Sequence, residues 1–193
     1  MARKGPRLRP LARELARRFP DLEDPALRAM AVPVTGRIAL DVGAAAGGFT
    51  RVLLEAGAAR VYAVDAGHGQ LLGSLRQDPR VVALERTNLG ALGPHVVPDV
   101  VEVVTMDLSY LPVARAAPQL EAVRLSPTAD LVALVKPQHE LGLGAPPGDQ
   151  GVARAVEHAA AGLAACGWDV VASTRSPVLG SRGAVEWLVH ARR

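Results

Sequence analysis

Four charged side chains in this sequence each close a short apolar run: Asp41 after Ile38-Ala39-Leu40, Asp65 after Val61 to Val64, Asp107 after Val100 to Met106, and Lys136 after Leu131 to Val135. Runs of this kind read as β-strands. Open α/β sheets bind ligands beyond the carboxyl ends of their strands, so the four belong to one rim. Singly, an acid at a strand end is equally well explained as a helix cap or turn residue; four beside a glycine-rich loop point to a site. Lys136 stands out further, because only Lys4 and Lys136 among 22 basic residues are lysine. Of the two strong cations only lysine can release its proton in a protein. An ordinary lysine, with a pKa of about 10.4, is charged at neutral pH and could stabilise a developing alkoxide. Desolvation could instead make it a base, although Asp107 beside it would keep it charged, so the positioning and electrostatic role is favoured and the base role is a close second. The bland alternative is a strand-end lysine that snorkels to water.

The loop beside these residues is Asp41-Val42-Gly43-Ala44-Ala45-Ala46-Gly47-Gly48-Phe49, after which Thr50 to Ala56 reads as a helix. Glycines there let a backbone approach a ligand, and a helix N-terminus favours something anionic. The spacing D-x-G-x-x-x-G-G keeps an acid two residues before the first glycine and lacks the second glycine of the dinucleotide pattern G-x-G-x-x-G. It resembles the first motif of class I methyltransferases, which implies S-adenosylmethionine as cofactor and makes Asp41, Gly43, Ala44, Gly47, Gly48 and Phe49 candidates for holding it. Asp65, 24 residues after Asp41, takes the position that faces a nucleoside ribose. His68 follows it, Asn88 lies where an adenine edge would rest, and Asp107 ends a strand beside the adenosyl group, so all three join the candidates.

The elements that position these residues alternate. Strand one (38 to 42), a helix closed by Gly57, strand two (61 to 65), a short helix starting at 68 to 72, strand three (81 to 84) and strand four (100 to 106) follow in order. A helix over 114 to 123, a central strand over 131 to 135, a Gly/Pro-rich loop from 138 to 150 and a helix over 151 to 165 come next. Segments 169 to 172 and 185 to 189 close the sheet as an antiparallel pair. The expectation is a Rossmann-like α/β fold of the class I methyltransferase type: a mostly parallel seven-stranded sheet with one antiparallel strand and helices on both faces. Residues 37 to 193 form that domain, and 1 to 36, interrupted by five prolines, form an appendage.

Length and composition bound the rest. A chain of 193 residues suits one domain, and with 49% hydrophobic but 3% aromatic residues the core must be built from Val, Ala and Leu. No apolar run reaches the roughly 20 residues of a membrane span, no signal-peptide pattern is present, and the single Cys166 with no zinc-type cluster argues for a reducing, cytoplasmic setting and against a structural metal. The net charge is +3, yet residues 1 to 18 set Arg3, Lys4, Arg7, Arg9, Arg13, Arg17 and Arg18 against Glu14 alone. Such an arm can track a phosphate backbone, with Lys4, Arg7, Arg9 and Arg13 as RNA-contact candidates, or be a solvated tail.

The runs DVGAAAGGFT, YAVDAGHGQL, RVVALERTN, VVTMDLSYL, DLVALVKPQ and GAVEWLVH, in order over residues 36 to 190, resemble the successive motifs of the TlyA family, the FtsJ-like ribosomal RNA methyltransferases also called hemolysin A. That resemblance implies S-adenosylmethionine-dependent 2′-O-methylation of cytidine in ribosomal RNA, with ribosomal RNA or a ribosomal subunit as partner. It also implies a Lys-Asp-Lys-Glu tetrad, in which Asp107 matches the aspartate, Lys136 the second lysine and Glu186 the glutamate. Glu186, within the apolar segment 185 to 189, has a paired structural carboxylate as its alternative reading. Where the family carries its first lysine this chain has Leu22, Glu23 and Asp24; Arg3-Lys4-Gly5-Pro6-Arg7-Leu8 resembles that motif loosely, further upstream, with Arg7 in the lysine's place. The S4-type RNA-binding domain usual in the family is not expected here. Two other readings share these features: a methyltransferase acting on a small-molecule hydroxyl, and a non-catalytic RNA- or nucleoside-binding module.

Overall fold

The computed structural model describes residues 32 to 180 and 183 to 193; the basic arm and the expected appendage up to residue 31 lie outside the described residues. Seven strands form one sheet: β1 (Ile38–Val42), β2 (Arg60–Asp65), β3 (Val81–Glu85), β4 (Val101–Met106), β5 (Leu125–Val135), β6 (Asp169–Arg175) and β7 (Trp187–Arg192). Their order is β3-β2-β1-β4-β5-β7-β6. β7 runs antiparallel to both its neighbours and the other pairings are parallel. The helices are α1 (Gly48–Glu55), α2 (Gly73–Arg76), α3 (Val113–Ala116, continued as a 3-10 segment Ala117–Ala122), α4 (Pro137–Glu140) and α5 (Asp149–Ala164). This is the expected class of fold, and no helix among the described residues is long and apolar enough to cross a membrane.

Alternation along the central strands divides the core between two faces. Leu40, Val42, Val104, Met106, Leu131, Ala133 and Val135 pack with Ala155, Ala159 and Leu163 of α5, while Ala39, Val103, Val132 and Leu134 pack with Val52 and Leu53 of α1. Asp41 and Thr105 fall on the α1 face and are fully buried. The Asp41 carboxylate accepts hydrogen bonds from the Thr50 hydroxyl at 2.6 Å and the Thr105 hydroxyl at 2.9 Å, tying α1 to β1 and β4. Burial pushes this carboxyl up to about 6, against the two threonine hydrogen bonds that favour its charged form.

Several boundaries differ from expectation. His68 to Leu72 is not helical but a series of bends, with the helix confined to Gly73–Arg76. Glu85 explains the difference: its carboxylate accepts the N–H groups of Gln70 and Leu71 and an N–H of Arg76, which pins the segment in an open turn. The 138 to 150 loop is shorter than expected, because Pro137 opens a helical turn and Asp149 already begins α5. β5 starts six residues early, at Leu125, and β7 runs on through His190 and Arg192. These polar residues are carried inside the sheet because Asp130 of β5 accepts from His190 at 2.7 Å and Arg192 at 2.8 Å, while Arg37 reaches its other oxygen at 2.6 Å. Glu186 stands just before β7 and not within it.

The Asp41 bridge gives a test of the fold. Thr105→Val keeps the side-chain shape but removes one donor from a buried carboxylate, and should cost about 1–3 kcal/mol in urea unfolding. Burial holds the Asp41 carboxyl at about 6 in the fold against its ordinary 3.8, so the native state holds the extra proton between those values and stability falls as pH rises through that window. Losing a hydrogen bond to the charged form raises the folded value further. The deficit of Thr105→Val should therefore be larger at pH 8 than at pH 5; equal deficits at both would mean the carboxylate is not ionised in the fold.

Candidate functional site

β1 and β4 pair with Val42 opposite Met106, and the Asp107 N–H donates to the Val42 carbonyl at 2.9 Å. This extra rung sets Asp107 directly against Gly43, whose φ is +84°; a Cβ there would strike the Asp107 carbonyl oxygen. Glycine is thus required at 43 both for conformation and for space. The loop beyond is braced from within: the N–H groups of Gly43 and Ala44 both donate to the Val64 carbonyl, and the Ala45 N–H donates to the Asp65 carboxylate at 2.8 Å. The second oxygen of Asp65 accepts from the Gly67 N–H at 2.7 Å.

A cleft of about 180 Å³ opens over these strand ends, lined among others by Gly43, Asp65, Gly67, Gln70, Thr87, Leu89, Asp107, Ser109 and Tyr110. Tyr110 projects into solvent at its rim, 59% exposed. Gly43, Asp65 and Asp107 are therefore where the sequence placed them, facing a common space. The other candidates for holding a cofactor are not. Asp41 has no exposure, with both oxygens engaged by threonines, so it braces the loop and does not line the cleft. Ala44 is buried in the α1-side core and Phe49 packs against it. Gly47, at φ +95°, faces the side chains of Leu71 and Leu75, which leave no room for a Cβ; around Gly48 there is open space. His68 turns outward to Glu85 at 3.3 Å, and Asn88 is exposed at the start of the turn Leu89–Ala91. Burial would raise the Glu85 carboxyl, but the N–H groups of Gly69, Leu71 and Gln70 with Arg76 hold it down at about 2. Gln70, Thr87, Ser109 and Tyr110 were missed as lining residues; their one signal in the sequence is position, two to five residues beyond a strand end.

The second group of residues sits at the adjoining strand ends. Val135 of β5 pairs antiparallel with Trp187 of β7, which puts Lys136 and Glu186, the next residues out, across from one another. The Lys136 ammonium is ion-paired with Asp107 and also donates to the Leu108 carbonyl at 3.2 Å. Lys136 itself is fixed by α4: the Glu140 N–H donates to the Lys136 carbonyl at 2.8 Å. The buried Glu140 carboxylate accepts from the Val113 and Ala114 N–H groups of α3 and contacts His158 of α5 at 3.0 Å. Glu186 is 6% exposed, and its Oε2 has no hydrogen-bond partner among the described residues. Burial pushes its carboxyl up to about 7 even though Lys136 pulls it down, with Asp107 adding to the rise. Asp107, Lys136 and Glu186 thus form one cluster contributed by three adjacent strands: a paired acid and cation beside a carboxyl poised near neutrality. Such a cluster can orient a hydroxyl and handle its proton. Lys4, Arg7, Arg9 and Arg13 lie outside the described residues.

Comparison with known proteins fits this geometry. A family model described as FtsJ-like methyltransferase matches residues 25 to 193. The 16S/23S rRNA (cytidine-2′-O)-methyltransferase TlyA of Mycobacterium tuberculosis is 46% identical over 174 residues, covering 86% of this chain and 64% of that protein. A Bacillus subtilis protein, YqxC, described as an rRNA methyltransferase, is 36% identical over 173 residues, covering 86% and 61%. The chain thus spans less than two thirds of the length of these curated relatives. Among solved structures, a hemolysin from Streptococcus thermophilus superposes with a TM-score of 0.83 at 31% identity, covering 98% of this chain and 69% of that one. With the match running through the glycine loop, the cleft and the Asp107–Lys136–Glu186 cluster, this chain belongs to the FtsJ-like methyltransferase family.

Proposed function

We propose that this chain is an S-adenosylmethionine-dependent methyltransferase that modifies a ribose 2′-hydroxyl of ribosomal RNA in the cytoplasm. The observation that carries the reading is the Asp107–Lys136 ion pair with Glu186 beside it, at the edge of a cleft floored by Gly43 and Asp65. The cleft suits an adenosyl group. Gly43, with no side chain, lets the loop lie directly against Asp107 so that backbone lines the cleft, and Asp65 is a carboxylate at the end of β2 where ribose hydroxyls could donate to it. When bound, S-adenosylmethionine supplies a methyl group on a sulfonium. What this chain must add is placement of the acceptor oxygen and an outlet for its proton. Lys136 offers positive charge where an alkoxide develops, Asp107 fixes the direction in which that charge points, and Glu186 offers a carboxyl able to exchange a proton near neutral pH.

The substrate part of the proposal rests on kinship with the rRNA methyltransferases and on the arm carrying Lys4, Arg7, Arg9 and Arg13, which would add phosphate contacts without reading sequence. The expected appendage over residues 1 to 36 would then be the RNA-facing part and 37 to 193 the catalytic domain.

S-adenosylhomocysteine at a hundredfold excess over its Kd should stabilise the chain by about 2.7 kcal/mol, raising Tm by roughly 5 to 10 °C. Asp65→Ala should abolish that shift, since it removes both the ribose acceptor and the brace on Ala45 and Gly67. A shift produced by NADH and not by S-adenosylhomocysteine would defeat the cofactor assignment. With tritium-labelled S-adenosylmethionine and isolated ribosomal subunits, Lys136→Ala and Asp107→Ala should each lower transfer by about 100-fold or more, with unfolding midpoints near the parent's. Undiminished transfer in Lys136→Ala would remove the cluster from the chemistry. Deleting residues 1 to 18 should weaken association with RNA and flatten its salt dependence by about one unit of slope per lost phosphate contact, leaving cofactor affinity unchanged; parallel slopes would reduce the arm to a solvated tail.

A further inference from the structure

One short segment grips the chain leaving β4 at two places. Lys136 and Glu140 stand one helical turn apart, at the head and the last residue of α4. At the near grip the Lys136 ammonium meets Asp107 and the Leu108 carbonyl. At the far grip the Glu140 carboxylate accepts the Val113 N–H at 2.7 Å and the Ala114 N–H at 3.2 Å. Between them runs the strap 108 to 112, whose Leu108, Ser109 and Tyr110 line the cleft. The far grip has a local cause. Val113 and Ala114 open α3, where N–H groups have no acceptor within the helix, and Pro112 ahead of them has no polar side chain to cap it. Glu140, its side chain only 2% exposed, is that cap, supplied by another element.

The carboxylate is itself fixed from a third side. His158 of α5 contacts its Oε1 at 3.0 Å, and one turn further along α5 a Cβ at Gly162 would collide with Ala114, so α3 lies hard against α5 beside it. The segment between the grips is stiff as well. Pro137 restricts the residue before it to extended backbone, and Lys136 adopts φ −105° and ψ 100°. From there the Glu140 N–H returns to the Lys136 carbonyl at 2.8 Å.

We infer that Glu140 is a positioning residue of the reaction: its buried carboxylate, which does not line the cleft, keeps the strap 108 to 112 and the Lys136 end of β5 in one fixed relation. This deepens the methyltransferase reading above and rests on it. Without the carboxylate, two N–H groups at the start of α3 lose their acceptor and the strap is anchored at one end only. The Lys136 ammonium must then follow a Leu108 carbonyl that moves. Misplacement by about an ångström at a reacting centre costs about 100-fold in rate, whereas RNA affinity, set by surface contacts, is untouched. Glu140→Gln keeps the length and one acceptor oxygen but turns an NH2 group toward a donor, so its effect falls between those of the parent and Glu140→Ala.

Transfer from tritium-labelled S-adenosylmethionine to isolated ribosomal subunits, measured well below the melting transition, gives kcat and KM for the parent, Glu140→Gln and Glu140→Ala. A second readout needs no turnover. Lys4 and Lys136 are the only lysines, so the full chain grown with nitrogen-15 lysine has two ammonium groups to observe, and the signal missing from Lys136→Arg is that of Lys136. The expected kcat is about 10-fold lower in Glu140→Gln and about 100-fold lower in Glu140→Ala, with KM for the subunits near the parent's. The Lys136 ammonium signal, protected from exchange with water in the parent, should weaken in Glu140→Gln and vanish in Glu140→Ala. A fully folded Glu140→Ala with the parent's kcat, or with the parent's Lys136 signal, would overturn the assignment and leave Glu140 a contributor to stability alone. Should neither variant fold, His158→Ala carries the test, since it removes one contact of the same carboxylate through a half-exposed side chain: a weakened Lys136 signal is expected, and an unchanged one overturns the inference. No transfer from the parent would sink the RNA reading itself, while the Lys136 signal reports on Glu140 separately.

Discussion

The strand-end cleft depends on a carboxylate that does not line it. Asp41 sits at the centre of the sheet with no exposure, and its two oxygens take hydroxyl hydrogens from Thr50 on α1 and Thr105 on β4. Three elements are thereby fixed at one point, directly beneath the turn where β1 becomes α1. Everything above inherits that registration. Gly43 is pressed to Asp107, the loop N–H groups are gathered by Val64 and Asp65, and Asp107 is held where Lys136 can reach it. A buried ionisable group is a costly brace, which is visible in how far burial lifts its carboxyl. The two threonines are what make it tolerable.

The outline of this arrangement could be read from the residues. Apolar runs ending in charge mark the strands along the chain, and of the four residues expected on one rim, Asp65, Asp107 and Lys136 lie at the strand ends while Asp41 is buried beneath them. What could not be read was the direction in which each side chain points. Asp41 and Asp65 look alike in sequence, each an acid closing a short apolar run; one is covered by α1 and the other faces the cleft, and the packing of Thr50 and Thr105 separates them. The His68 segment departs from the expected helix for a related reason, since its fold is set by Glu85, a residue more than a dozen positions away. Strand β7 extends beyond the expected segment 185 to 189 because His190 and Arg192 are bonded to Asp130, contacts about 60 residues apart in sequence.

Division of labour within the cluster follows from unequal surroundings. Lys136 and Glu186 face each other across neighbouring strands, yet the lysine is given acceptors on two sides while the glutamate is given almost none. Glu140 extends this asymmetry outward. By gripping the start of α3, the end of α4 and His158 of α5 with a single carboxylate, it makes the backbone around Lys136 rigid from a distance. The cation is therefore the preorganised partner.

The placement of β7 has a consequence for how this protein comes into being. β7 follows β6 in the sequence, yet it lies between β6 and β5, so the sheet stands open along β5 until β7 slides into the gap. Contacts between segments this far apart form late and slowly, and an unpaired β5 edge is a surface on which growing chains can join one another. Because Glu186 enters at the head of that same strand, the pairing that closes the sheet is also the one that brings this carboxyl beside Asp107 and Lys136.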